Sequence, residues 1–241
     1  MIRFNNPGAV IEDTVRSEAL CTILQKAESR EVLLDLGCGP RPYLHIYKPH
    51  FQRCIGADLA DGPFPKKEVD IHCEATAVPL PDGSVDFILC TEVLHDIREP
   101  ELFFREVYRL LKPGGQLFLT SPFLVPIVDG TYDHYRYNTH GLRHHLLKGG
   151  FIVNSITPVG DIFAVQVTLM IKPVLKFFNR LAKSTGLGFL YSPMNPLLFL
   201  AAILPQLTYL AMLKTPLINK FLRRFDYGPI GYISVAVKPQ P

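Results

Sequence analysis

The residues whose types and spacing could do chemistry fall in four short stretches. "LLDLGCGP" (33–40) runs through apolar residues to Asp35, then turns on Gly37, Cys38 and Gly39 before Pro40. Glycines lack a Cβ and let a ligand approach the backbone closely. An aspartate at a buried strand end needs polar partners. The alternative for this stretch is a tight strand–helix turn with no ligand. "GADL" places Asp58 nineteen residues after Gly39, and an acid there suits the two hydroxyls of a ribose. His95-Asp96 follows another apolar run, and an imidazole titrates in the range useful for moving protons. The histidine could equally shape a pocket without transferring protons. "TYDHYRYNTHGLRHH" (131–145) offers Tyr135 and Arg136. An arginine fork suits an anionic group, unless Arg136 caps a helix or pairs with Asp133.

A dinucleotide site would use the same geography, with G-x-G-x-x-G and a helix N-terminus cradling a pyrophosphate. Here Pro42 occupies the third glycine position and Pro40 precedes it. Neither proline offers an N–H to a phosphate, so the turn favours a nucleoside ligand without phosphates. His134, His140, His144 and His145 invite a metal reading. They lack an H-E-x-x-H pattern and a nearby cysteine, so a solvated helix and no metal are expected.

The elements that must position these residues alternate. Strands are expected at 31–36, 52–59, 69–75, 85–91 and 115–121, and helices at 9–29 and 98–111. The second helix carries an apolar stripe of Leu102, Phe103, Val107, Leu110 and Leu111, and "KPGG" (112–115) stops it. A helix near 140–148 has Thr139 as its expected N-cap, and strands follow at 151–157 and 231–238. Alternating strands and helices imply βαβ units, a parallel sheet, and ligands at the carboxyl ends of its strands.

"LLDLGCGP", "GADL" and "EATAVPLPDGSVDFILCTEVLHDIREPELFFREVYRLLKPGGQLFLTSP" together resemble class I S-adenosylmethionine-dependent methyltransferases of the small-molecule, type 11-like kind. The resemblance covers about residues 31–157. It implies a Rossmann-like, doubly wound α/β sheet of seven strands, the last antiparallel, with S-adenosyl-L-methionine as cofactor. It implies that Asp35, Gly37, Cys38 and Gly39 surround the methionine end and that Asp58 holds the ribose. Leu59, Glu74 and Ala75 would line the adenine pocket, and Thr91 and Glu92 would sit beside the reacting sulfonium. The 131–145 stretch resembles a "D-Y-Y-R-Y-T" pattern lying over the cleft in one subset, with departures at His134 and Asn138. His95, Asp96, Tyr135 and Arg136 are then the candidate catalytic residues.

Charge divides the chain. Residues 1–160 carry 16 Lys+Arg against 20 Asp+Glu, whereas residues 161–241 carry 9 against 2. Within the second part, residues 184–213 hold no charge. Lys172, Lys176, Arg180 and Lys183 precede that run at helical spacing, opposite Val174, Leu175, Phe177, Phe178 and Leu181; Lys220, Arg223 and Arg224 follow it. That pattern fits a basic interfacial helix and an anionic membrane surface. Residues 197–213 are short for a span, with Pro205 and Gln206 in the middle, so an interfacial or re-entrant hairpin is expected. A soluble lid or a homodimer surface is the alternative.

The expected organisation is one methyltransferase domain over 1–241. It comprises an N-terminal helical segment (1–30), a cofactor-binding core (31–157), a hydrophobic basic helical insertion (158–229) and a final strand (230–238). The N-terminus lacks a secretory pattern and the five cysteines form no C-x-x-C pair, which points to reduced thiols and the cytoplasm, with a peripheral position on the inner membrane face. The acceptor is expected to be a small or lipid-linked molecule. No aromatic-interleaved basic patch suggests nucleic acid. The competing reading is a non-catalytic S-adenosylmethionine-binding protein whose insertion docks a partner.

Overall fold

The computed structural model describes residues 9–25, 31–61, 68–127, 132–185, 196–222 and 228–240. Seven strands form one sheet in the order β3-β2-β1-β4-β5-β7-β6. They are β1 (Val32–Leu36), β2 (Arg53–Asp58), β3 (Ile71–His72), β4 (Val85–Thr91), β5 (Leu111–Pro122), β6 (Ile152–Val159) and β7 (Gly231–Val237). β1 pairs in parallel with β2 and β4, and β4 with β5. β7 runs antiparallel to β5: Gly114 N–H donates to Lys238 O, and Lys238 N–H returns a bond to Gly115 O. Strand order reverses between β1 and β4, which makes their carboxyl ends the natural ligand crevice.

The chain divides by contacts into two compact units. One comprises residues 17–123, 127–157 and 232–241, and contains most of the sheet. β1 and β4 are mostly apolar, apart from Asp35, Asp86 and Thr91, because both faces are covered: Leu33, Leu34, Phe87, Ile88 and Leu89 are all buried. Helix α3 (Pro100–Leu110) turns Phe103, Phe104, Val107 and Leu110 inward. Leu102, expected in that stripe, is exposed at its edge, and Phe104 takes the inward place. Leu111 begins β5, and "KPGG" bulges within the ladder: Val85 pairs with Leu111 but Phe87 with Gln116. Helix α4 (Thr139–Lys148) is capped by Asn138 rather than Thr139. The extended Asn138 backbone lets its carboxamide oxygen accept from Gly141 N–H at 2.9 Å. β3 is two residues long, against seven expected, because it pairs only with the carboxyl end of β2: Asp70 N–H donates to Gly56 O and Cys73 N–H to Asp58 O, where β2 ends.

The other unit comprises residues 1–16, 124–126 and 158–231. It takes in the first turns of α1 (Val10–Leu24), with α5 (Ile162–Thr185), α6 (Pro196–Lys214) and α7 (Pro216–Leu222). Short helix α2 (Leu44–Tyr47) belongs to the sheet unit. Asp161 caps α5, accepting from Phe163 and Ala164 N–H. Ile11, Ala164, Val165, Tyr209, Leu222 and Ile230 form the core of this unit. Gln206, which interrupts the apolar run in sequence, is fully buried and satisfied. Its side chain accepts from Ile11 N–H and donates to Ala202 O. Lys172 is not a free surface base: its ammonium pairs with the buried Glu12 carboxylate at 2.9 Å. Val174 and Phe177, on the apolar side opposite the basic face, are exposed. The side chains of Phe178, Leu181 and Lys183, and residues Arg223 and Arg224, lie outside the described residues. No single described helix is long and apolar enough to cross a membrane; α6 and α7 reach that length only as a pair bent by 92°.

Candidate active site

The site is assembled from the carboxyl ends of β2, β1 and β4 and the loops that follow them. At the end of β1 the backbone turns back through Gly37, whose φ of +70° is left-handed. Gly37 and Cys38 N–H both donate to Ala57 O, which ties the turn to β2. What fills the space beside Gly37 is Val93. A Cβ built there would stand 2.1 Å from Val93 Cγ2, so the loop after β4 packs where any side chain at this position would stand. Asp58 closes the turn from the next strand. Its Oδ2 accepts from Gly39 N–H at 2.6 Å and its Oδ1 from Leu59 N–H at 2.7 Å. An ionised carboxylate keeps further lone pairs for hydroxyl donors. Glu74 is exposed and Ala75 buried just beyond β3.

Below the turn lies a buried network that sequence reasoning did not identify. Tyr47 Oη donates to Asp35 Oδ2 at 2.7 Å and accepts from Arg41 Nε at 3.2 Å. The Arg41 fork also reaches Glu68 O, Asp70 Oδ2 and Cys54 O. The one available signal was chemical: a buried Asp35 required a donor, and Tyr47 lies in the helix that follows the turn. Burial pushes the Asp35 carboxyl up to about 7, against the Tyr47 bond and the Arg41 charge that pull it down. Burial pushes the Cys38 thiol up to about 12, with the Asp35 and Asp58 charges adding to it, so Cys38 is a neutral packing group rather than a nucleophile.

The Asp35 shift has a measurable consequence. The folded chain holds that proton to about pH 7, whereas an unfolded carboxyl loses it near 3.8. Between those values the folded state binds more protons, so this group makes stability fall as pH rises. The slope approaches ~1.4 kcal/mol per pH unit. Asp35→Asn keeps an oxygen for Tyr47 and removes the titration. Urea denaturation at pH 5, 6 and 7 should therefore show a flatter profile for Asp35→Asn than for the parent chain. Parallel profiles would contradict the assignment.

At the end of β4, Glu92 adopts φ +57°, rare for a residue with a side chain. Its N–H donates to Thr120 Oγ1, whose hydroxyl in turn donates to Glu92 Oε1 at 2.8 Å. Thr120 and the neighbouring Ser121 are buried, and Ser121 Oγ has no partner among the described residues. Neither was singled out in the sequence. The loop after Glu92 carries His95, whose imidazole is buried. Its Nε2 lies 3.2 Å from Asp96 Oδ1 and its Nδ1 is buried without a partner among the described residues. The Asp96 contact assigns the proton to Nε2, leaving Nδ1 an acceptor. His134 and Tyr135 N–H both donate to His95 O, which brings the 131–145 loop against the histidine. Tyr135 is 41% exposed and its hydroxyl donates to Arg98 O. Arg136 forms a bidentate pair with Asp133, whose second bond is 2.6 Å. Asp133 raises the Arg136 pKa most, and Glu92 and Asp96 add to it. His95, Asp96 and Asp133 offer ligand atoms within 4.8 Å of one another, but the Arg136 guanidinium takes the place of a cation there. His140 and His144 are exposed, as expected of a solvated helix.

Fold and site therefore define a class: a doubly wound α/β nucleoside-binding scaffold with a glycine turn after β1 and an acid after β2. Residues 34–119 match the family described as "Methyltransferase domain". The chain is 31% identical over 107 residues to human "Thiol S-methyltransferase TMT1B", a match covering 39% of this chain and 44% of that protein. The chain thus spans less than half the length of that curated relative. A solved structure of the cyclase SpnF covers 93% of this chain and 81% of its own, with a TM-score of 0.56 and 21% identity. Haemonchus contortus phosphoethanolamine N-methyltransferase 2, solved in complex with S-adenosyl-L-methionine, covers 92% of this chain and 53% of its own. Its TM-score is 0.54 at 18% identity. The chain carries a class I S-adenosylmethionine-dependent methyltransferase domain. The residues fit that cofactor: Asp58 offers acceptors to a diol, and Pro40 and Pro42 supply no phosphate-binding N–H.

Proposed function

We propose that this protein transfers a methyl group from S-adenosylmethionine to a small or amphiphilic acceptor, at the cytoplasmic surface of an anionic membrane. The observation that carries the catalytic reading is the His95 cluster beside the glycine turn. An imidazole with one nitrogen fixed by Asp96 and the other buried without a partner among the described residues follows the strand end that carries Glu92. The cofactor supplies a methyl already activated by its sulfonium. Asp35, Gly37, Cys38 and Gly39 hold the methionine end, Asp58 the ribose, and Leu59, Glu74 and Ala75 the adenine. Thr91 and Glu92 flank the methionine side. His95 Nδ1 accepts the acceptor's proton, and Asp96 keeps the imidazole in that tautomer. Arg136, held by Asp133, and Tyr135 close the acceptor side. His95→Asn should lower turnover about 100-fold and Arg136→Ala about 10-fold, both with cofactor affinity within twofold of the parent. Equal loss of turnover and affinity would assign these residues to structure.

The membrane reading is supported by exposed Met170, Val174, Phe177, Leu217 and Phe221 beside exposed Lys176, Arg180, Lys214 and Lys220. No acidic residue lies between Asp161 and Asp226. Each basic residue near an anionic leaflet contributes roughly 1 kcal/mol, which salt screens. Flotation should favour anionic over neutral vesicles, weaken with salt, and fall at least tenfold when Lys176 and Arg180 are both replaced by Glu. A chain that never floats, but elutes as a dimer, would make the insertion a homodimer surface.

A second reading has one observation behind it. The cyclase SpnF shares the fold, and a fold does not fix the reaction. A chain that binds S-adenosylmethionine but never consumes it would be a cofactor-binding module whose insertion docks a partner.

A further inference from the structure

Arg41 holds a conformation and a place that its residue type does not favour. Its φ of +49° is left-handed, rare for a residue with a side chain. The residue is buried, and its guanidinium passes so close to Gly56 that a Cβ there would stand 2.8 Å from Nε and Cζ. An apolar side chain would fill that space without burying a cation. What the arginine adds is direction, because a guanidinium only donates. Nη1 donates to Glu68 O and Asp70 Oδ2, Nη2 to Cys54 O, and Nε to Tyr47 Oη. Asp70 Oδ2 also accepts from Gly56 N–H at 2.7 Å, so the outer end of the network is anchored on β2 and on the segment before β3. The Nε bond takes a lone pair of the Tyr47 hydroxyl and sends its single hydrogen to Asp35 Oδ2 at 2.7 Å. Tyr47 is fully buried, so solvent does not compete for that hydrogen.

We infer that Arg41 and Tyr47 are positioning residues for the amino-acid end of the cofactor: their relay commits Asp35 Oδ2 and leaves Oδ1 to meet that end's ammonium. The inference rests on the proposed seating of the methionine end at Asp35. Two ligands separate it both from that seating and from a merely structural role. S-adenosylhomocysteine carries the amino acid; 5′-methylthioadenosine has the same adenosine and a thioether sulfur but no amino acid. In calorimetry Tyr47→Phe, which keeps the ring and removes the hydroxyl, should weaken S-adenosylhomocysteine about tenfold and methylthioadenosine by less than about twofold. Arg41→Lys keeps the charge but not the fork, and should show the same selective loss from the far end of the relay. In an Asp35→Asn background Tyr47→Phe should weaken S-adenosylhomocysteine by less than about threefold, because the relay acts through the carboxyl. Equal losses for the two ligands, or an unchanged S-adenosylhomocysteine affinity in both single variants, would overturn the inference and leave the network a brace for the fold. A parent chain that binds the two ligands equally would overturn the seating at Asp35, and the inference with it.

Discussion

Asp58→Ala weakens S-adenosylmethionine binding by about 3 kcal/mol, roughly 150-fold. Two contributions combine. The carboxylate bonds Gly39 N–H and Leu59 N–H at 2.6 and 2.7 Å, and hydrogen bonds to a charged group contribute about 1.5–3 kcal/mol each. Its loss leaves Gly39, a buried residue, with an unpaired N–H and releases the turn from β2. It also removes the acceptors for the ribose hydroxyls. Asp58→Asn retains one carbonyl oxygen and should lose less, about tenfold. Calorimetry separates the two, and an affinity for the alanine variant within threefold of the parent would remove Asp58 from the cofactor site.

Gly37→Ala has the largest expected effect on the fold. The left-handed φ costs a residue with a side chain about 1–2 kcal/mol. The clash with Val93 Cγ2 at 2.1 Å adds overpacking, typically 1–3 kcal/mol. Together these predict about 3 kcal/mol of lost stability, a fall in thermal midpoint of roughly 6–12 °C for a chain this size. The double variant Gly37→Ala/Val93→Ala tests the split, since removing the Val93 methyls relieves the clash and leaves the backbone strain. It should recover about half of the loss relative to Val93→Ala alone. No recovery would mean that the strain lies in the backbone alone.

Those two residues were legible in the sequence because glycine and aspartate at strand ends have few other uses. The strands of the sheet were legible for a related reason. Runs such as "VDFILC" have no polar face to give the solvent, so they belong between layers. Arg41 and Tyr47 were not legible, because their role exists only once α2 folds back beneath Asp35. Thr120 became relevant only through its pairing across from Thr91. The insertion misled in one respect. Lys172 reads as one of four surface bases, yet it neutralises Glu12, 160 residues earlier in the chain. Gln206 reads as a break in an apolar helix, yet it caps the backbone of α1. Sequence spacing reports a helix face, but not which distant charge or amide will meet it. Asn138 outcompeted Thr139 as a cap for a local reason: the residue that stays extended before the first turn decides which side chain can reach back.

Methyl transfer itself is tested most directly with S-adenosylmethionine carrying a trideuterated methyl group. The protein is incubated with it and with lipid and small-metabolite extracts, and products are followed by mass spectrometry. The account predicts at least one molecule, amphiphilic in character, heavier by one trideuteromethyl group, formed by the parent chain and lost with Asp58→Ala. Tight cofactor binding without any labelled product in these extracts, or preferential binding of NAD, would contradict it.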